Sequence, residues 1–412
     1  MRLKNFKITL DSAVFFAGCS VKGKVCLHLN KPTRIREIKV EYQGDCKVRW
    51  KEIHMINGDP VTYHYSSDET YFKREENILS GFDTEDELNA GEHFFDFEFE
   101  LPRHLPTSFE GRHGRVRYTV KGIIEAPKKL RTKTKIPFMV LSLLDLNKEA
   151  DAANPVSEDK LKTFWGHLKP LRVKLSLPVG GYVPGQVIPV KTLVTNDTGV
   201  EIRKLRVLLM KIINYHTTLK SLEVKEVIAD SEFQLKLGHG EEEASVGLKV
   251  PALPPSRMEY CRIIDVDYKI VVEACVDSWY HKNLKSTASI IIGSVPLLCY
   301  ELPVPGFPFS RSPPTLHSEF RPLGDQPVPQ VISQPYWEIY GGEVPPPIYE
   351  ETLEYPCEKR EKSKKKEKEL ENESQTGVQE AVCFEDEDCD GEVKSFTPLY
   401  PVFKFATRNH DA

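Results

Sequence analysis

Polar and apolar residues alternate along most of the chain before Leu302. Val21-Lys22-Gly23-Lys24-Val25-Cys26-Leu27-His28-Leu29 is one such run, and a denser one leads from Leu205 to Met210. Side chains at period two face opposite sides of an extended backbone, so these runs predict strands with one buried face. Gly, Pro and Asn interrupt them at Gly18, Pro32, Gly44, Asn57-Gly58, Gly81, Gly91 and Pro102. Many short strands between frequent turns predict an all-β chain of antiparallel sandwiches. Helical periodicity is nearly absent, and Asp83–Asn89 offers one short turn or helix at most.

The pattern also repeats. Shifted by 167 positions without a gap, Ile8 and Leu10 fall on Leu175 and Leu177, and Gly18 on Gly185. Val21 and Val25 fall on Ile188 and Thr192; Ile35, Ile38 and Val40 fall on Ile202, Leu205 and Val207. That period is too long for a solenoid and predicts two copies of one domain. Later, Val116-Arg117-Tyr118-Thr119-Val120 resembles Val266-Asp267-Tyr268-Lys269-Ile270. Each follows a proline-marked entry, Leu101-Pro102 and Leu105-Pro106 in one copy, Val250-Pro251 and Leu253-Pro254 in the other. This second offset is shorter, so the second copy has lost loop residues. The expected division is a sandwich over 1–146, a polar linker over 147–168, a second sandwich over 169–302 and a tail over 303–412.

The tail changes the picture because its composition does. Prolines recur from Pro303 to Pro356, a mainly basic run follows over 357–372 with Lys364-Lys365-Lys366, and 385–392 are acidic. Such segments bury too little apolar surface to offset chain entropy, so the tail is expected to be disordered. The basic run reads as a solvated linker, with a nuclear-import or membrane-surface patch as the alternatives. Two islands stand apart. Val344-Pro345-Pro346-Pro347-Ile348-Tyr349-Glu350 contains PPxY at Pro346, Pro347 and Tyr349. Consecutive prolines pre-order the backbone, two rings fill an aromatic groove, and the tyrosine enters a neighbouring pocket, which is the shape WW domains read. The second island is Phe396-Thr397-Pro398-Leu399-Tyr400-Pro401-Val402-Phe403. It is apolar within a polar tail, which asks for a partner or a docking site. Pro398 and Tyr400 make either a weaker second WW ligand, adding avidity, or part of a segment folded back on the second domain.

Charge and cysteine usage narrow the class. The 412 residues carry a net charge of −5, which argues against wholesale nucleic-acid binding. Nine cysteines without CxxC spacing fit free thiols in a reducing, cytoplasmic setting. The start, Met1-Arg2-Leu3-Lys4-Asn5-Phe6-Lys7, lacks a secretory apolar run, and the most apolar stretches are too short to span a bilayer. Asn196-Asp197-Thr198 matches a glycosylation sequon that would be inert in that compartment.

No catalytic constellation emerges: GxSxG, GxxxxGK[ST] and HExxH are all absent. Gly180-Gly181-Tyr182-Val183-Pro184-Gly185 has no helix after it and reads as a turn between strands, not a phosphate loop. The twelve histidines show no metal-ligand spacing. The chain is therefore not expected to be an enzyme, nor to need a cofactor or metal. Lys129, Arg131, Lys133 and Lys135 recur at every second position, which on a strand sets four cations on one face. They suit acidic partners, phosphorylated cargo or an anionic membrane surface; a solvated face that discourages edge pairing is the competing explanation.

Three stretches give the chain a family likeness: Gly44-Asp45-Cys46-Lys47-Val48-Arg49-Trp50, Gly114-Arg115-Val116-Arg117-Tyr118 and Ile290-Ile291-Ile292-Gly293-Ser294-Val295-Pro296. With two sandwiches followed by PPxY, the sequence resembles the α-arrestins, the arrestin-domain-containing proteins that include thioredoxin-interacting protein. The resemblance implies two arrestin-type, immunoglobulin-like sandwiches. It implies an adaptor whose body engages cytoplasmic regions of membrane receptors or transporters and whose PPxY recruits WW-domain HECT-type ubiquitin ligases. Cargo ubiquitination, endocytosis and endosomal sorting would follow, with recruitment to the plasma membrane and endosomes. A ubiquitin-independent trafficking scaffold is one alternative. A thioredoxin-binding redox regulator is another, because Cys261 matches the cysteine through which thioredoxin-interacting protein contacts thioredoxin. A reactive thiol needs exposure and a lowered pKa, whereas the pattern around Cys261 suggests burial.

Overall fold

The computed structural model describes residues 3–79, 87–127, 130–298, 347–352, 378–381 and 396–404. The first sandwich is built from β1 (Leu3–Leu10), β2 (Val14–Phe16), β3 (Ser20–Leu29), β4 (Glu37–Ile56), β5 (Asp59–Leu79), β6 (Gly91–Glu100), β7 (Phe109–Glu110), β8 (Gly114–Ala126) and β9 (Leu130–Leu141). One sheet has the order β1-β3-β6. The other runs β2-β9-β8-β4, with β5 also on β4 and β7 on β8. β4 carries the alternation furthest. Ile38, Val40, Tyr42, Cys46, Val48 and Trp50 all point inward, none more than 1% exposed, as period two requires of a half-buried strand.

The second sandwich comprises β10 (Val156–Lys162), β11 (Leu171–Leu177), β12 (Gly181–Tyr182), β13 (Val187–Asn196), β14 (Ile202–His216), β15 (Ser221–Leu237), β16 (Gly240–Lys249), β17 (Ile264–Val276) and β18 (Leu284–Ile292). Its sheets are β10-β11-β13-β16 and β12-β18-β17-β14-β15. The repeat holds at the level of register: Ile8 faces Val25 across β1–β3, and Leu175 faces Thr192 across β11–β13. It holds at the corners as well. Tyr118 Oη donates to the Pro106 carbonyl at 2.7 Å, and Tyr268 Oη donates to that of Pro254 at 2.8 Å. Val140 N–H donates to Ser108 Oγ at 2.9 Å, and Ile292 N–H to Ser256 Oγ at 2.8 Å. The residues missing from the second copy come from its long hairpin, where β14 and β15 have 15 and 17 residues against 20 and 21 in β4 and β5, and from the connection after it, 238–239 against 80–90.

Hydrogen bonding redraws the expected linker. Val156–Lys162, inside 147–168, pairs antiparallel with β11 along its whole length. Its residues Ser157, Asp159 and Lys160 are exposed, because an edge strand needs little apolar surface, and that polarity gave it the composition of a linker. Asn196 of the sequon is fully buried, and its Nδ2 donates to the carbonyls of Val200 and Leu237 at 2.8 and 3.0 Å. The expected turn at Asp83–Asn89 falls mostly on residues outside those described, 80–86.

The two sandwiches meet along a seam. Leu144 N–H donates to Ser294 Oγ at 2.8 Å, and Asn147 holds both the Pro296 carbonyl and the Leu298 N–H at 2.9 Å. Lys220 Nζ reaches both oxygens of the buried Glu52 at 2.9 and 2.8 Å. Arg262 donates to Glu69 from its N–H and its Nε, each at 3.0 Å. His113 and Tyr215 stack edge to face at 5.6 Å between ring centres. Burial pushes the His113 imidazole down to about 4, so at neutral pH this contact is made by an uncharged ring.

Candidate functional site

Three tail segments form strands: β19 (Ile348–Glu351), β20 (Val378–Ala381) and β21 (Leu399–Val402). β20 pairs antiparallel with β4 over Trp50–Ile53. The expectation of disorder elsewhere in the tail concerns residues outside those described.

The second aromatic island docks where the two sandwiches meet. Tyr400 Oη donates to the Ser108 carbonyl of the first domain at 2.9 Å. Phe403 N–H donates to the Pro184 carbonyl of the second at 2.9 Å. Tyr400, Val402 and Phe403 are buried, at 1%, 6% and 1% exposure. Phe396 lies under the guanidinium of Arg117, 5.9 Å from ring centre to Cζ, and Arg117 is held by Glu110 at 2.8 Å. Gly185 makes the docking possible. Its φ is +95°, and a Cβ there would sit 2.1 Å from the Phe403 carbonyl oxygen. The turn 180–185 thus serves as a cradle for this chain's own C-terminal segment.

The docked segment is held near balance. Burying the rings of Tyr400 and Phe403 and the Val402 side chain contributes roughly 2 kcal/mol each. A few hydrogen bonds add about 1 kcal/mol each. Ordering residues 396–404 costs about 1 kcal/mol per residue, which offsets nearly all of that gain. A segment so poised can be displaced by modest competition.

β19 rests on this segment. Ile348 faces Val402, Tyr349 faces Pro401, Glu350 faces Tyr400 and Glu351 faces Leu399. Thr352 N–H donates to the Pro398 carbonyl at 3.1 Å. Tyr349 and Pro347 of the PPxY are therefore placed, each half-buried, while Pro346 lies outside the described residues. The Tyr349 hydroxyl is closed off from solvent and has no hydrogen-bond partner among the described residues. Burial pushes its phenol well above the usual range. Opposite it stands Pro401, which has no N–H to give the ladder. Of the weaker second motif, Pro398 and Tyr400 are both buried in the dock.

The other candidates lie elsewhere. Lys129 is outside the described residues. Arg131, Lys133 and Lys135 share β9, whose partner there is β8. Glu125 takes Arg131 at 2.6 Å, and Lys121, opposite Lys135, reaches Glu41 at 3.9 Å. The cations thus belong to a mixed-charge sheet face. Cys261 is buried, but the seam buries it, since it lies ahead of β17 with its Sγ 3.7 Å from Cys46 Sγ of the first domain. Burial pushes the Cys46 thiol far up. Among the described residues no group of three His, Cys, Asp or Glu could hold a metal ion, and no helix is long and apolar enough to cross a membrane.

Residues 6–147 match the model of the arrestin (or S-antigen) N-terminal domain, and 167–297 that of the C-terminal domain. Neither is a catalytic family; arrestin domains make scaffolds and adaptors. Arrestin domain-containing protein 17 of Caenorhabditis elegans is 26% identical over 319 residues, covering 72% of each chain. Mouse arrestin domain-containing protein 1 is 30% identical over 277 residues, covering 66% of this chain and 61% of its own length. Mouse arrestin domain-containing protein 4 is 25% identical over 295 residues, covering 68% and 69%. With both arrestin domains in order and arrestin-domain-containing relatives across them, the chain belongs to the α-arrestin family.

Proposed function

We propose that the chain links membrane-protein cargo to WW-domain HECT-type ubiquitin ligases. The twin-sandwich body engages cytoplasmic regions of a receptor or transporter, and Pro346-Pro347-Ile348-Tyr349 recruits the ligase. Ubiquitination, endocytosis and endosomal sorting of the cargo follow, with the adaptor drawn to the plasma membrane and endosomes. The observation that carries this is where Ile348 and Tyr349 of the PPxY stand: beyond both sandwiches, on a short strand whose pairing partner is another tail segment. Leaving that pairing breaks no sandwich strand pairing.

A peptide of residues 340–355 should bind isolated WW domains of HECT-type ligases. Tyr349→Ala should weaken that binding by about a hundredfold, because the pocket loses both ring and hydroxyl. In cells, Tyr349→Ala in the full chain should lower cargo ubiquitination to the level seen without the adaptor. Equal binding by the two peptides in calorimetry would end the ligase-recruiting role.

A further inference from the structure

We propose that the C-terminal strand β21 is a built-in competitor of the ligase, holding Tyr349 in a sheet so that the PPxY is presented only when β19 parts from β21. The inference rests on the WW-ligand reading of the PPxY and names how that same site is regulated.

The geometry of the two states excludes their overlap. A WW groove takes the prolines as a polyproline II helix with the tyrosine ring standing clear. In β19 the chain from Ile348 to Glu351 is instead laid against β21, with Tyr349 opposite Pro401. The Tyr349 hydroxyl is out of solvent and the residue half-buried, so the side chain cannot enter a WW pocket without leaving this position. β21 cannot accompany β19 into solvent without losing its own anchors. These are the Tyr400 hydroxyl on Ser108, the Phe403 amide on Pro184 and the buried rings of both. Sequestration of the motif is thus coupled to the body of the molecule and not to a loose hairpin within the tail.

The pairing is also biased toward release. A buried hydroxyl with no partner among the described residues is a cost carried by the closed state alone. In water or in a WW pocket, Tyr349 recovers a hydrogen bond. Pro401, opposite it, adds no ladder donor. β21 is thus better anchored at its Tyr400–Phe403 end than β19 is at the PPxY end.

The occlusion and the motif can be tested apart. Amide hydrogen exchange of the full chain should show protection at Thr352, whose N–H donates to Pro398. Phe403→Ser, and separately a chain ending at Ser395, should abolish that protection while leaving β4 and β14 protected. Neither readout involves a ligase. An isolated HECT-ligase WW domain should then bind the full chain about tenfold more weakly than the 340–355 peptide, since apparent affinity scales with the open fraction. Both variants should restore the affinity to within about twofold of the peptide. Equal affinity for peptide and full chain, or no change in either variant, would overturn the occlusion and leave the motif standing. Thr352 protection with no WW binding by the free peptide would instead remove the motif, and the regulation with it.

Discussion

Gly18 and Gly185 occupy one position in the two sandwiches, and they are asked for different things. Both have positive φ, +83° and +95°, where a residue with a Cβ is strained. At Gly18 a Cβ would meet the flexible Arg103 side chain at 3.2 Å. At Gly185 it would meet the Phe403 carbonyl oxygen at 2.1 Å. The first glycine shapes a turn, whereas the second shapes the same turn and receives the C-terminal segment. A repeated fold thus gained a docking site at a position where the absence of a side chain was already required.

The comparison breaks most sharply by filling both positions. Gly18→Ala should cost about 1.5 kcal/mol, the ordinary penalty for a left-handed backbone with a Cβ. Gly185→Ala should cost more in the full chain, about 2 kcal/mol, because the small net stability of the dock is lost on top of the same strain. In a chain ending at Ser395 the two costs should converge. Denaturant titrations of the four variants and their two parent chains decide this; equal costs with the tail present would mean that Gly185 does not seat it.

The long hairpin marks a second difference. Because β4 and β5 outrun β14 and β15, the first domain reaches over the second, placing Glu52 beneath Lys220. Burial works to raise the Glu52 carboxyl, but the bonds from Lys220, His54 and Trp50 hold it below its ordinary value. A depressed carboxylate contributes stability above its unfolded pKa, about 4.3, and loses it as pH falls through the lower folded value. Lys220→Met leaves the buried carboxylate with only His54 and Trp50. It should cost about 2 kcal/mol at pH 7, less than for a fully buried pair because Lys220 is half exposed. That cost should shrink as pH falls below about 4, because a protonated Glu52 no longer needs Lys220. Melting temperatures of wild type and variant between pH 3 and 7 test both; parallel curves would show that the pair adds nothing to the seam.

What could be read along the chain was what depends on near neighbours. Alternation exposed β3 and β4, and the shift of 167 placed Ile8 against Leu175 with the register the fold uses. β10 stayed hidden because an edge strand carries polar residues on both faces. The contacts of Glu52 with Lys220, Ser294 with Leu144 and Cys46 with Cys261 join residues far apart in sequence, and no local pattern encodes such pairings. The tail fell between these cases. Phe396–Phe403 stood out as apolar where its surroundings were not, which announces that something covers it. That the cover is Ser108 on one domain and Pro184 on the other, and that Tyr349 is drawn in beside it, depends on the seam itself.

The corners are where the two copies should still behave alike. Tyr118 and Tyr268 stand 150 positions apart, and each closes its sandwich by donating to a proline carbonyl across 12 or 14 residues. Both hydroxyls are buried, and burial drives both phenols far above their usual range, so each acts only as a neutral donor. Removing the hydroxyl keeps the ring packing and leaves one carbonyl without its donor. Tyr118→Phe and Tyr268→Phe should therefore each cost about 1–1.5 kcal/mol, the smallest of these effects and the most nearly equal. Tyr268 also lies near the buried Tyr400, which gives the second corner one neighbour from the tail. A larger cost at Tyr268 than at Tyr118 that disappears in a chain ending at Ser395 would assign the excess to that neighbour. A difference that persists without the tail would show that the corners have diverged beneath identical geometry.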